Sequence, residues 1–324
     1  MSGNADSTDM SPDSPPVVSD VLVRSGGPDG APHPSSGVRT ASACPSCGDH
    51  AAVALPPAGH PASVSSPSYV YALGRIEPRF PLLSLEKEFA QAVGRTSSEG
   101  LTDRELFHTV LSHPENRYLA QQLCWVFTIS DLDTYLLYPR NPVDMNVLVA
   151  SLRPRPHSID VDVVIGIRGP VAPPEVCNGL MVPLVGFTQI YSFDRNSFVT
   201  AVPKPAKVNE KAFEGAVEEI LDRVLMMADN VGGLDEHRAI NYLALRYPAM
   251  YAKAYEMFAA GVTLDAVDVQ PSGVGITRNL LDVIFSFRDR STNFVEKWSA
   301  RVDVTEEFPF LVMGLRAYFH AEQG

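Results

Sequence analysis

The chain has 324 residues, enough for one large domain or two ordinary ones, and its composition is that of a water-soluble protein: 45% hydrophobic, 20% charged and 9% aromatic. With 26 basic against 38 acidic residues the net charge is −12, and no basic cluster is present to release counterions from a phosphate backbone, so nucleic acid is excluded as a partner. The longest apolar runs are only a strand long, against the roughly 20 residues a membrane helix needs, and the acidic N-terminus lacks the apolar core of a secretory signal; the expectation is a cytoplasmic protein that does not touch membranes.

Residues 1–67 are Ser, Pro, Gly, Ala and Asp with almost no aromatics, and they hold eleven of the 27 prolines. Such a segment cannot bury enough apolar surface to offset the entropy of ordering it, so it reads as a disordered tail. The change at SYVYALGRIEPRFP, from Ser68, is abrupt, and a single globular domain is expected over 68–324.

Ser84 to Arg95 has apolar residues spaced by four at Leu85, Phe89 and Val93 and reads as a helix capped by Ser84. Thr102 with Glu105 forms a capping-box signature for a second helix, which Pro114 ends near His113. A third short helix covers Glu115 to Gln122. CWVFTI (124–129) and TYLLYP (134–139) read as a hairpin turning at Asp131 to Asp133. Asn141-Pro142 opens a helix to Leu152, with proline in its favoured first turn. VDVVIGIRG (161–169) reads as a strand buried on both faces, and MVPLVGFTQIYSF (181–193) as another. The longest helix is expected over Asn209 to Asp229, with Phe213, Val217, Ile220, Val224 and Met227 as its apolar stripe. Two further helices, Asp235 to Arg246 and Pro248 to Ala260, meet at a break forced by Pro248. VDVQPS, LLDVIFSFRD and FVEKWSARVDVT then alternate with period two, as an antiparallel meander would. The fold class is α+β, mixed helices with a largely antiparallel sheet.

Four cysteines in a reducing compartment fit metal binding or free thiols better than a disulfide framework. Cys44-Pro-Ser-Cys47-Gly has the knuckle spacing that lets two thiolates converge on zinc, and a structural site needs four ligands. Cys124 and Cys177 are the only other cysteines, so a site of Cys44, Cys47, Cys124 and Cys177 uses every thiol in the chain. Against it stand two plain readings: Cys124, beside Trp125, as a small core residue, and the CxxC as a redox-labile pair. DEHR (235–238) reads as an acidic first helical turn rather than a site, since adjacent helical residues point about 100° apart. Arg75, Arg79 and Arg117 are candidates for a peptide carboxylate, or else partners of Glu77, Glu86 and Glu88. Zincin, P-loop, GxGxxG and GxSxG patterns are absent, leaving no catalytic residue to name.

YVYALGRIEPRFP (69–81), ENRYLAQQLCWVFTI (115–129), DVDVVIGIRGPVAPPEVCNGLMVP (160–183), MADNVGGLDEHRAINYLALRYPAMY (227–251) and RVDVTEEFPFLV (301–312) together resemble the C-terminal domain of unknown function of the cyanobactin maturation proteins PatA and PatG. In that family the domain usually trails a subtilisin-like protease. No serine-protease motif is seen in these 324 residues, so protease or macrocyclase activity is not carried over. The resemblance implies an accessory protein of ribosomal-peptide biosynthesis with a structural Zn2+ ion. Its implied partners are a precursor peptide or peptide-modifying enzymes of the same pathway, and a homodimer is allowed. The rival readings are a peptide-modifying enzyme using zinc or a thiol, and a precursor-like tail fused to its own binding domain.

Overall fold

The computed structural model describes residues 67–94, 100–153, 160–227, 229–274 and 277–319. The expectation of a disordered tail, and with it Cys44 and Cys47, lies outside them.

The first half builds a barrel. Strand β1 (Ser68–Arg79) is followed by helices α1 (Leu83–Val93), α2 (Asp103–Ser112) and α3 (Arg117–Gln122), then β2 (Cys124–Ile129), β3 (Leu132–Leu137), α4 (Pro142–Ser151), β4 (Asp160–Val171) and β5 (Pro183–Asp194). The five strands close in the order β1-β2-β3-β5-β4. All neighbours are antiparallel except β3 and β5, which run parallel and pair only through Leu136 with Leu184 and Leu137 with Val185. Beyond that short seam Arg140 donates from its guanidinium to the Phe187 carbonyl at 2.8 Å, giving a backbone acceptor the partner that a longer ladder would supply.

One hydrophobic cluster draws side chains from all five strands, among them Val70, Ile76, Trp125, Phe127, Tyr135, Val164 and Phe187, and is therefore the inside of the barrel; α1 to α4 add Phe89, Val110, Leu119 and Leu148 to it. Space there is tight. A Cβ on Gly74 would stand 2.2 Å from the Thr128 carbonyl oxygen, so β1 can approach β2 this closely only with no side chain at that position.

Helix α2 starts as its sequence demands. The Thr102 side chain accepts from the Glu105 amide and the Glu105 carboxylate accepts from the Thr102 amide, a complete capping box. Thr102→Ala should cost about 1 kcal/mol in urea unfolding. Helix α1 is different: it begins after Leu82, whose side chain makes no cap, and not after Ser84. Packing of Leu85, Phe89 and Ala92 in the barrel core sets its start instead of a polar cap.

The second half continues with α5 (Arg195–Ala201), α6 (Glu210–Leu225), α7 (Asp235–Arg246), α8 (Pro248–Ala259) and the strands β6 (Val262–Pro271), β7 (Leu280–Asp289), β8 (Val295–Asp303) and β9 (Phe310–Ala317). These four strands form an antiparallel sheet in sequence order. The expected stripe on α6 is buried at Phe213, Val217, Ile220 and Val224, each contributing about 1.5–3 kcal/mol by leaving water. The largest cluster joins this stripe to Tyr71, Leu73, Val163 and Ile165 on the barrel's outer face and to Leu281, Val283 and Phe285 of the sheet. The helices are thus the middle layer between barrel and sheet, an α+β arrangement.

Candidate functional site

Cys124 opens β2, and Cys177 lies in the 172–182 loop between β4 and β5. The loop folds back because Val176 and Leu180 donate backbone hydrogen bonds to Pro173 and Cys177 carbonyls, while Asn178 and Gly179 take positive φ values of 44° and 87°. Its Ala172 amide then bonds the Val182 carbonyl at 2.8 Å. Cys124 and Cys177 come together on the outside of the barrel with Val126, Leu136 and Ala172 in a small separate apolar cluster, flanked by Leu180, Val182 and Leu184. Their Cα atoms are 5.9 Å apart and their sulfurs are bonded to each other.

This bond differs from the expectation of free thiols or metal ligands. Two cysteines separated by 53 residues carry no sequence sign of pairing, and only the fold-back of the loop makes them neighbours. Disulfide sulfurs do not ligate zinc; as reduced thiolates the same two side chains, side by side, supply half of a tetrahedral sulfur set. The other half falls to Cys44 and Cys47, outside the described residues. Among the described residues no group of three or more His, Cys, Asp and Glu side chains is placed to hold a metal ion.

A cleft of about 540 Å³ opens next to the cysteine pair, between the start of α1 (Leu82, Leu85, Glu88), Gln122 and the loop residues Val176 and Asn178. Leu82, which lines it, is 65% exposed, as is the adjoining Leu83, an unusual outlay of apolar surface at a helix start. No motif pointed to this cleft, because its walls come from three segments far apart in sequence.

Of the other residues singled out by sequence, Arg79 and Arg238 take structural roles. Arg79 is held by Asp133 at 2.6 Å and Glu77 at 3.1 Å, the ion-pair alternative rather than a free carboxylate receptor. Arg75 lies on β1 opposite Thr128, and Arg117 is exposed at the start of α3. In DEHR, Asp235 and Glu236 do occupy the first turn of α7. Arg238, however, is 1% exposed: its guanidinium bonds Asp235 at 2.6 Å, the Val304 carbonyl at 2.9 Å and the Glu306 carbonyl, and packs over the Tyr69 ring. It ties α7 to the turn between β8 and β9. Burial pushes the neighbouring His237 imidazole below its ordinary pKa, with Glu236 and Asp229 opposing.

A five-stranded mixed barrel joined through a helical layer to an antiparallel sheet, with a paired-cysteine loop on the barrel wall, defines the class of protein. Residues 69–260 match the family described as PatG Domain and residues 207–318 the one described as PatG C-terminal. The chain belongs to the PatG domain family. A solved structure titled "PatG Domain of Unknown Function" shares the fold, with a TM-score of 0.62 at 20% identity over 78% of this chain and 98% of that one. No curated protein matches.

Proposed function

We propose that the chain is a non-proteolytic accessory protein of cyanobactin-like ribosomal-peptide biosynthesis, which binds a precursor peptide or a partner enzyme of the pathway. Membership of the PatG domain family supports the pathway. The cleft beside the cysteine pair, lined by the exposed Leu82, is the observation that carries the binding role. Calorimetry against precursor peptides and cluster enzymes should give saturable binding that Leu82→Asp weakens. Absence of heat with every one of them refutes the reading.

Zinc enters the same proposal as a staple. Reduced Cys124 and Cys177, with Cys44 and Cys47, would hold the ion, which supplies a fixed tetrahedral junction between tail and domain. Wild-type protein purified under reducing conditions should carry about one zinc per chain, and Cys44→Ala should lose it. Equal metal content in the two proteins removes zinc from the account and leaves Cys124 and Cys177 as the disulfide alone.

A further inference from the structure

A second concavity, about 630 Å³, lies on the opposite half of the molecule between α8, the 202–209 segment and the β8–β9 edge. Its floor is the Ala249, Ala252 and Ala259 face of α8, and its walls include Tyr247, Tyr255 and Trp298. The polar groups on these walls have an uneven character. Tyr247 accepts at its hydroxyl from the Leu315 amide at 2.7 Å, and Tyr255 accepts from the Asn209 amide at 3.1 Å. A hydroxyl that accepts in this way still has its own proton to donate. Lys253 adds an ammonium 3.8 Å from the centre of the Trp298 ring, bound to Glu256 at 3.0 Å. The groove therefore presents fixed aromatic surface with three donors, and among the described residues Glu256 is the only carboxylate lining it.

The ligand that complements such a surface is rich in carbonyl acceptors and poor in N–H donors, with flat apolar rings to stack. A proline-containing segment in the polyproline II conformation has these properties, since it forms no internal hydrogen bonds and each proline lacks an N–H. Aromatic-lined grooves are the usual seats for such segments.

We propose that this groove docks the chain's own Leu55-Pro56-Pro57-Ala58 stretch. The sequence ends it ten residues ahead of Ser68, a link that spans up to about 36 Å when extended. The distance it must cover is short. Tyr69 lies under the Arg238 guanidinium, 5.1 Å from its ring centre, near the start of α7, and Tyr247 caps the end of that same helix, about 14 Å further along its axis. A tether of this length holds the segment at an effective concentration on the order of 1 mM, so that even a weak motif stays docked. Docking places the prolines against Tyr255 and Trp298 and their carbonyls toward the two phenolic O–H groups and Lys253. It needs neither zinc nor a peptide partner at the first cleft; a zinc staple at Cys44 and Cys47 would leave a link of eight residues, up to about 29 Å, between Cys47 and Leu55.

The test uses the full chain. Trp125 is 1% exposed, so acrylamide quenching reports on Trp298. Pro56→Ala/Pro57→Ala, a change outside the described residues, should raise the Trp298 quenching constant roughly twofold as the cover leaves. A benzophenone side chain installed at position 55 should cross-link within its own molecule to residues 247–259 or Trp298, and Tyr255→Phe, which keeps the ring and removes the donor, should lower that yield. Unchanged quenching in the double variant overturns the proposal. So do cross-links scattered over the surface, cross-links to a second molecule, or a groove captured instead from position 22 in the apolar VVSDVLVR stretch.

Discussion

Asp162→Ala should lower the unfolding free energy by about 3–5 kcal/mol, the loss expected when one partner of a buried ion pair is removed and the other is stranded. Asp162 is fully buried on β4. One carboxylate oxygen accepts from the Ile76 amide at 2.6 Å and from Arg104 at 2.9 Å, and the other accepts from the Ser192 hydroxyl at 2.5 Å. Arg104 extends from α2 and also donates to the carbonyls of Ile76, Leu152 and Ser151. One ion pair thus fastens β1, β4, β5, α2 and the end of α4 together. Asp162→Asn keeps the shape and loses the charge, and should fall between wild type and Asp162→Ala in urea or guanidinium unfolding. A loss under 1 kcal/mol for Asp162→Ala would mean that the barrel does not depend on this node.

Gly232→Ala should cost about 3 kcal/mol, from a left-handed backbone penalty of about 1–2 and an overpacking term of about 1–3. Gly232 has φ of 70°, and an added Cβ would stand 2.5 Å from the Ala72 Cα and from the Tyr71 carbonyl oxygen. The Gly232 carbonyl accepts from the Tyr71 amide at 2.9 Å, and the adjoining Val231 carbonyl accepts from the Tyr135 hydroxyl. Asn241, buried completely, donates to the Tyr71 carbonyl and exchanges hydrogen bonds with Asn230. The loop before α7 is therefore pressed onto β1, and a methyl group must separate the two. Gly233→Ala makes a contrast that thermal unfolding can read: its Cβ meets the end of one side chain, the Tyr135 hydroxyl at 2.7 Å, instead of backbone. Its loss should be smaller, since a side-chain end moves more readily than two strands of backbone.

Local patterns in the sequence located most elements because each carries its own signal: the Thr102–Glu105 box, Asn141 before Pro142, the stripe on α6, the alternation in β7 and β8. Asn141 caps α4 through hydrogen bonds from Val143 and Asp144, as its position suggested. The misses share a physical origin. Helix α5 is seven residues long, too short for a stripe. Strand β9, FLVMGLRA, is apolar at successive positions and lost its alternation from view. Its place at the sheet edge is managed by tyrosines of the helical layer, whose hydroxyls at Tyr242 and Tyr247 accept from the Leu311 and Leu315 amides. The barrel was illegible for a stronger reason, since closure depends on β3 meeting β5 in parallel over two residue pairs. In the candidate site, Cys124 and Cys177 could be named from sequence, but their contact and the cleft beside them needed the loop's turn geometry.

The hydrogen bond between Asn241 and Tyr71 spans 170 residues and also sets a schedule. A ribosome adding about 5–20 residues per second exposes β1 roughly 10–30 seconds before Asn241 exists. For rather more than the first half of that interval β1, with Val70, Tyr71, Ala72 and Leu73 all destined for burial, lacks its β4 partner, and to the end of it lacks the cover of α7. A nascent chain of this protein is thus most open to chaperones at its first strand, and synonymous changes that slow translation between Asp160 and Asn241 should lower soluble yield without altering a single side chain.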